Sequence, residues 1–593
     1  MLRSKTQFSP RILRFFVPLE ARACLANHRK GKVTMLRIGV SVLFLALLMG
    51  GVAVGQTSKT ALTGTVSSDA EGPMEGVVVS AKKIGGTITV SVISDKQGRY
   101  LFPADRLAAG EYALRIRATG YDAASRHIAV TVKGTGSEAD IRLNKTENLA
   151  SQLNSAEWLL SIPGTRAQKD KLYRDCVLCH TLTPVLASTY NEEEWKTTLV
   201  RMYNWSEGGA LYKPMLSPIR SGPRPGDEEF AKYLASINLS SRATHDFELK
   251  TMPQPSGADT KVIITEYDLP RSDSEPHEAV VDKDGMVWFS DHAEAMIGRL
   301  DPRTGAVKEW EDPLVKPGFP GGFHDLELDN EGNPWAGRHE FNSFAKFDKK
   351  TEKYVNWSMP DSASPQARPT FLAIRPDGKV WLKDNPDHKA FVFDPATGKF
   401  TGYDQYPPNV TFTAEKEETV GATRSSTTLR HNIYGMNTDS QGNEYGADIG
   451  VGNLLKIDAK TGKATMYPTP TPNSGPRRMH VGPDDRVWIG EWWGNRIAVF
   501  DPKTEKFQEW LHPFPWYGPY DAAPDKEGNV WTGSMSVDMI TRLNPQTGEF
   551  RNYLMPLLGV NVRRIEVDNS GARPVFWVGE HRQAKIAKVE PLD

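Results

Sequence analysis

Val281–Asp301 reads VDKDGMVWFSDHAEAMIGRLD, and the chain writes this pattern again and again. The next copy is LDNEGNPWAGRHEFNSFAKFD from Leu328, followed by RPDGKVWLKDNPDHKAFVFD from Arg375 and SQGNEYGADIGVGNLLKID from Ser440. GPDDRVWIGEWWGNRIAVFD from Gly482, DKEGNVWTGSMSVDMITRLN from Asp525 and a looser DNSGARPVFWVGEHRQAKIAKV from Asp568 complete the set. The turn residues fall at Gly285, Gly332, Gly378, Gly442, Asp485, Gly528 and Gly571, so the steps are 47, 46, 64, 43, 43 and 43 residues. A period in the forties with short alternating strands predicts one four-stranded sheet per repeat and a seven-bladed β-propeller over 260–593. Each copy reads as a strand, a DG-type turn and a strand carrying a Trp. A third strand ends at Asp-Pro-x-Thr-Gly, as in Asp301–Gly305, before an outer strand. Trp288, Trp335, Trp381, Trp488, Trp531 and Trp577, with Tyr445 in the fourth copy, are expected to pack between neighbouring sheets. Lys261–Pro270 has an outer-strand pattern without a repeat of its own and is expected to complete the last sheet. The long third step places an insertion near Pro407–Arg430, either a lid or a surface excursion.

Working outward, the preceding half of the chain has a different composition. The net charge of −1 gives no electrostatic case for nucleic acid or a membrane surface, and three cysteines cannot build a disulfide scaffold. Residues 1–55 form a leader. From Met35 the run MLRIGVSVLFLALLMGGVAVGQT has the basic start, apolar stretch and small residues of a secretory signal with cleavage near Gly55. Export to the periplasm follows, with Met35 as the initiator and Cys24 outside the mature protein; an uncleaved anchor is the alternative. Residues 58–146 alternate like a small β-sandwich. Their G-V-V-V-S-A, D-K-Q-G-R-Y and A-A-G-E-Y-A-L-R-I-R-A-T-G-Y pieces resemble the carboxypeptidase regulatory-like domain, which implies a spacer or docking module without chemistry.

Residues 150–240 have a helical pattern and contain Cys176-Val-Leu-Cys179-His180. CxxCH is the attachment motif of c-type haem: two thiols three residues apart add to the vinyl groups, and the adjoining His ligates iron. A zinc half-site is the competing reading. The order of CxxCH, a Trp195–Met202 helix and a last helix at Asp227–Ile237 resembles small monohaem cytochromes c. That resemblance implies a small α-helical cytochrome c domain with covalent haem c, His180 proximal and Met202 or Met215 as the sixth ligand. Ser240–Asp259 lacks periodicity and reads as a linker. The whole is therefore expected to be mainly β and multidomain: sandwich, helical cytochrome c domain and seven-bladed propeller.

The repeats also locate a site. Residues eight before each turn position should ring one mouth of the channel: His277, His324, Thr370, Tyr434, Arg477, Tyr520 and Arg563. Residues three past the Trp should form a second ring: Asp291, Arg338, Asp384, Asp448, Glu491, Ser534 and Glu580. Converging carboxylates call for a cation, for arginine partners or for backbone amides.

The repeats, with their DG-x-v-W-f-x-[ED] and N-x-I-x-x-x-D motifs, resemble streptogramin (virginiamycin B) lyases. Those enzymes open a cyclic depsipeptide by elimination at a face holding His, acidic residues and magnesium. The likeness implies Glu275, His277 and Asp291 as the corresponding corner, with Glu275 and Asp291 as Mg2+ ligands and His277 as base. Asp291 stands where the lyase motif has Glu, and Arg563 stands where it has a second His, a place His324 could fill. Three functions compete: a haem electron-transfer protein whose propeller binds or oxidises a small-molecule or oligomeric substrate and feeds a redox partner; a lyase with an accessory cytochrome; and a non-catalytic binding scaffold.

Overall fold

A computed structural model describes residues 59–593, except 126, 178, 205–221, 241, 315–320, 339–340, 365–366, 385–387 and 411–430. The leader, Met215 and most of the expected 407–430 insertion therefore lie outside the described residues. The molecule is mainly β, with several sheets and few helices.

The repeat explains each sheet. Asp282, three before the turn glycine, accepts from the amides of Asp284 and Met286 at 2.9 and 3.0 Å and from the Trp288 indole at 2.8 Å. Asp329 and Asp525 hold Trp335 and Trp531 in the same way, at 3.1 and 2.7 Å. Gly285 takes φ +75° here, a conformation glycine adopts without a Cβ penalty. One carboxylate thus closes the turn and fixes the ring that follows. Trp288 then stacks on Trp310 of its own sheet and meets Phe347 of the next, which is the predicted packing between sheets.

Six four-stranded antiparallel sheets span 276–311, 323–358, 372–404, 433–468, 476–511 and 523–554. A seventh is built from 562–591 and Val262–Asp268. Each sheet is open; the ring arises from packing, because the first strands of successive sheets touch in turn and the seventh touches the first. Val262–Asp268 pairs antiparallel with Lys585–Pro591, from Val262↔Pro591 to Asp268↔Lys585, as the orphan strand pattern predicts.

The other edge of Val262–Asp268 is not left open. It pairs with Ile88–Ile93, so the last sheet continues into the 59–145 region as one eight-stranded sheet. That region packs this sheet against a six-stranded one around Leu62, Val79, Tyr100 and Phe102. The expected spacer therefore caps a strand edge that would otherwise invite pairing with another chain. Thr265, bridged on both sides by Lys588 and Val90, sits in a central strand. Proline there removes a ladder donor, and Thr265→Pro is expected to destabilise the protein by about 3 kcal/mol or more, read as a drop in its unfolding midpoint.

Between these β regions lie α1 (Ser155–Ser161), α2 (Arg166–Asp175), α3 (Thr183–Leu186), α4 (Glu192–Tyr203) and α5 (Asp227–Ile237). Asn154, Thr165 and Asn191 each close a capping box, which satisfies the first amides of α1, α2 and α4. Tyr173 of α2 packs on Trp492 and Trp516, and the Arg174 guanidinium lies over Trp493. The helices therefore sit on the loop after the second strand of the fifth sheet and on the segment that leads from its fourth strand to the sixth sheet. The expected linker is packed as well: Met252 is buried and its amide donates to Glu157 at 2.8 Å. Among the described residues, no helix is long and apolar enough to cross a membrane.

Candidate functional site

Two sites face each other across one loop. The first is a cavity of about 620 Å3 lined by Cys176, Cys179, His180 and Met202 on the helical side. Met535, Arg582 and Gln583 of the last two sheets form part of its opposite wall. Cys176 is the C-cap of α2, and its carbonyl accepts from the amides of Cys179 and His180, both at 3.2 Å. This turn carries both sulfurs and the imidazole to one cavity. Both thiols are free of disulfides. His180 Nδ1 lies 2.7 Å from the Thr181 carbonyl, which can only accept, so Nδ1 is the donor and Nε2 the candidate ligand atom. Two thiols, an imidazole oriented through Nδ1, a thioether and a largely apolar wall fit a haem. Met202 lines the cavity from α4. If the protein takes up haem, Met202→Ala is expected to abolish a sulfur-to-iron absorption band and Met215→Ala to leave it; the reverse result would give the ligand role to Met215.

The second site lies where the first strands of the ring converge. His277 and Glu278 come from the first sheet's inner strand, and His324 and Asp325 from the second's. His292 and His581 come from the bends after the second strands of the first and seventh sheets. Glu275, His277, His292, His324 and His581 are all buried, and His277 has no exposed surface. The His277 ring lies 3.8 Å from His324, 5.3 Å from His292 and 5.7 Å from His581, centre to centre. His292 is 5.4 Å from His324 and 5.2 Å from His581. The possible ligand atoms of Glu275, His292 and His581 lie within 4.8 Å of one another, as do those of His277, Glu278 and His324.

Burial, with the neighbouring His324 and Arg563, holds the His277 imidazole well below its ordinary pKa. Burial and Arg563 do the same to His581. Both are neutral at pH 7. Glu278 Oε1 meets His277 Nδ1 at 2.6 Å. The same carboxylate is held by Arg478, whose other nitrogen reaches Asp325 at 2.5 Å, and Arg564 lies 3.4 Å away. Burial nevertheless pushes the Glu278 carboxyl up to about 8.

The structure brings together Glu275, His277 and His324 but places Asp291 otherwise. Asp291 is ion-paired to Arg271 and accepts from the amides of Ala293 at 2.8 Å and of Glu275 and Glu294 at 3.3 Å. Other carboxylates of that ring also hold backbone: Asp384 takes the Ser364 amide at 2.7 Å and Asp448 the Asn432 amide at 2.8 Å. Glu491 lies in dry surroundings that push its carboxyl up to about 8. Arg271, outside the two rings, is the arginine that pairs with Asp291, while Arg338 and Arg477 are engaged elsewhere. Arg338 pairs with Asp312, and Arg477 lies over Tyr434, Trp492 and Tyr520. His292 and His581 were missed. Each directly follows a member of the carboxylate ring, a DH and an EH pair four past a Trp, and that offset is the signal that could have found them.

The carboxypeptidase regulatory-like domain family matches residues 61–144. The first β region belongs to that family. No curated protein matches the chain. Among solved structures, virginiamycin B lyase from Staphylococcus aureus is similar at 20% identity, covering 55% of this chain and 99% of that one, with a TM-score of 0.46. A streptogramin B lyase structure is similar at 21% identity, covering 57% and 100%, with a TM-score of 0.47. The WD40 repeats of RRP9 are similar at 12% identity, covering 55% and 97%, with a TM-score of 0.40.

Proposed function

We propose that this is an exported c-type haem protein in which the helical segment is a cytochrome c domain seated on a seven-bladed propeller. Cys176, Cys179, His180 and Met202 would hold a haem in the 620 Å3 cavity, where it would supply one-electron chemistry beside the place where the inner strands converge. One observation carries the reading. His581, Arg582 and Gln583 are consecutive, and the loop that places His581 among the histidines places the next two residues in the cavity wall. Adjacent residues are about 3.8 Å apart along the backbone, so the two sites are near neighbours. When bound, the haem supplies reversible one-electron chemistry. The chain's own part is to anchor it through Cys176 and Cys179, orient His180 through Thr181, present Met202 and keep water out with the α4 and Met535 walls. The leader pattern from Met35 supports export to the periplasm, where a redox partner protein would meet the haem.

A pyridine haemochrome spectrum of protein made with a cytochrome c maturation system tests the core of this. One covalent haem per chain is expected, and a colourless protein rejects it. The link between the sites has its own readout. Arg582 is a cation in the cavity wall, and Arg582→Ala is expected to lower the haem midpoint potential in redox titration, since removing a nearby positive charge favours the oxidised form.

A magnesium-dependent, lyase-like elimination is the second reading. It is favoured by Glu275 and the neutral His277, two residues apart at the ring's inner edge. Against it, Asp291 is occupied by Arg271. Turnover of a cyclic depsipeptide that is lost on His277→Ala, with the haem spectrum intact, would turn the assignment to the lyase.

A further inference from the structure

We propose that His277, His292, His324 and His581 hold one first-row transition-metal ion, with Glu275 and Glu278 as the carboxylates that orient the imidazoles. This site is independent of the haem reading, and either can fail without the other.

The argument starts from donor type. Magnesium takes oxygen ligands in a tight octahedron and retains several waters. Imidazole nitrogen suits zinc, iron, copper and nickel. Four buried imidazoles converging from three sheets are therefore the wrong set for magnesium and the right set for a transition ion.

Geometry is the second observation. With a metal–nitrogen bond of about 2.1 Å, two imidazoles on one ion have ring centres about 4.6 Å apart at a right angle and about 5.3 Å apart at a tetrahedral angle. Four of the observed separations, 5.2, 5.3, 5.4 and 5.7 Å, fall in or near that range. The His277–His324 pair, at 3.8 Å, is the close one, and sharing an ion requires it to spread by about 0.8 Å.

The third observation is unmet bonding. His277 Nε2 and His581 Nδ1 are buried nitrogens without a hydrogen-bond partner. A buried polar atom left unpaired costs about 1–3 kcal/mol, and two such atoms in one histidine cluster need a common explanation. A metal ion at the centre supplies it.

The surrounding carboxylates complete the case. Glu278 Oε1 bonds Nδ1 of His277, which leaves Nε2 as the ligating atom. Glu275 Oε2 stands 3.5 Å from Nε2 of His581 and 3.8 Å from Nδ1 of His292. A carboxylate behind an imidazole fixes the ring and raises its basicity as a ligand. Arg478 and Arg564 hold Glu278 from its other side, so its position does not depend on the metal.

The test uses the whole protein as it is produced, with or without haem, stripped with chelator, reloaded with zinc and dialysed. Zinc is the probe because haem iron does not interfere with counting it. One zinc per chain is expected to survive dialysis, while magnesium offered in the same way washes out. Zinc-edge X-ray absorption is expected to report at least three imidazole nitrogens at about 2.0–2.1 Å. His277→Ala and His581→Ala are each expected to abolish retention, Glu278→Gln to weaken it about 10–100-fold, and exposed His127→Ala to leave it unchanged. Because the wild-type count alone decides, a variant that fails to fold does not rescue the idea. No retained zinc, two zinc ions per chain, retention of magnesium instead, or fewer than three imidazoles at the zinc would each overturn it.

Discussion

Alanine at both Cys176 and Cys179 is expected to remove all covalently attached haem, so that acidified organic solvent extracts whatever colour remains and the protein mass falls by one haem. The effect is total rather than graded, because each thioether needs its own thiol. Neither thiol is in a disulfide, and both lie on the turn that ends α2, lining a cavity they share with His180. A zinc half-site would need further ligands beside them. The cavity also presents His180, Asp175 and Asp538, donors that zinc accepts, so the metal content itself decides between the readings. Mass spectrometry separates the readings. One haem on the wild type and none on the double variant supports attachment; a wild type that binds zinc through these cysteines and carries no haem refutes it. The single variants are expected to retain haem through one thioether.

How far the sequence reveals this arrangement depends on which forces place each residue. The sheets are legible because each is written locally: an aspartate closes the turn, a glycine takes positive φ and a Trp follows at a fixed offset. Val262–Asp268 is legible as an outer strand because its pattern lacks a repeat of its own. Its second partnership, with Ile88–Ile93, is not, because a strand edge presents the same backbone groups to any strand that reaches it. The histidine cluster divides in the same way. His277 and His324 lie on the first strands, at the offset of eight before the turn that the repeats fix. Each sits at a register irregularity, where alternation does not assign a face. His292 and His581 lie just past strand ends. What turns His292 inward is Asp291, whose carboxylate bonds the amides of Ala293 and Glu294 and bends the chain beyond the strand. Ser534 does the same for its own loop, accepting from Ser536 and Val537 at 3.0 and 3.1 Å. Positions read as a ring of acids thus include local turn-formers, and the functional side chains follow them by one residue.

Arg478→Leu is expected to cost about 3–5 kcal/mol of folding stability above about pH 8, measured by denaturant titration, because it strands two buried carboxylates. Arg478 joins Glu278 of the first sheet to Asp325 of the second from its own place in the fifth, so the fork spans the ring. All three side chains are buried, and Arg564 alone remains near both acids when Arg478 is gone. The pH dependence has a definite sign. Burial already places the folded-state Glu278 carboxyl at about 8, above its unfolded value near 4.3. A group raised on folding contributes stability that is complete below the unfolded value and is lost as pH rises through the folded one. Removing Arg478 takes away a cation that opposes this rise, so Glu278 moves further up in the variant. The deficit against wild type is therefore expected to be level below about pH 7 and to grow as pH rises through 8, where the wild-type carboxyl ionises before the variant's. Arg478→Lys restores one charge but not the two-pronged fork, and is expected to recover only part of the loss. A deficit under about 1 kcal/mol above about pH 8, or one that shrinks as pH rises through 8, would mean that this pairing does not hold the ring together.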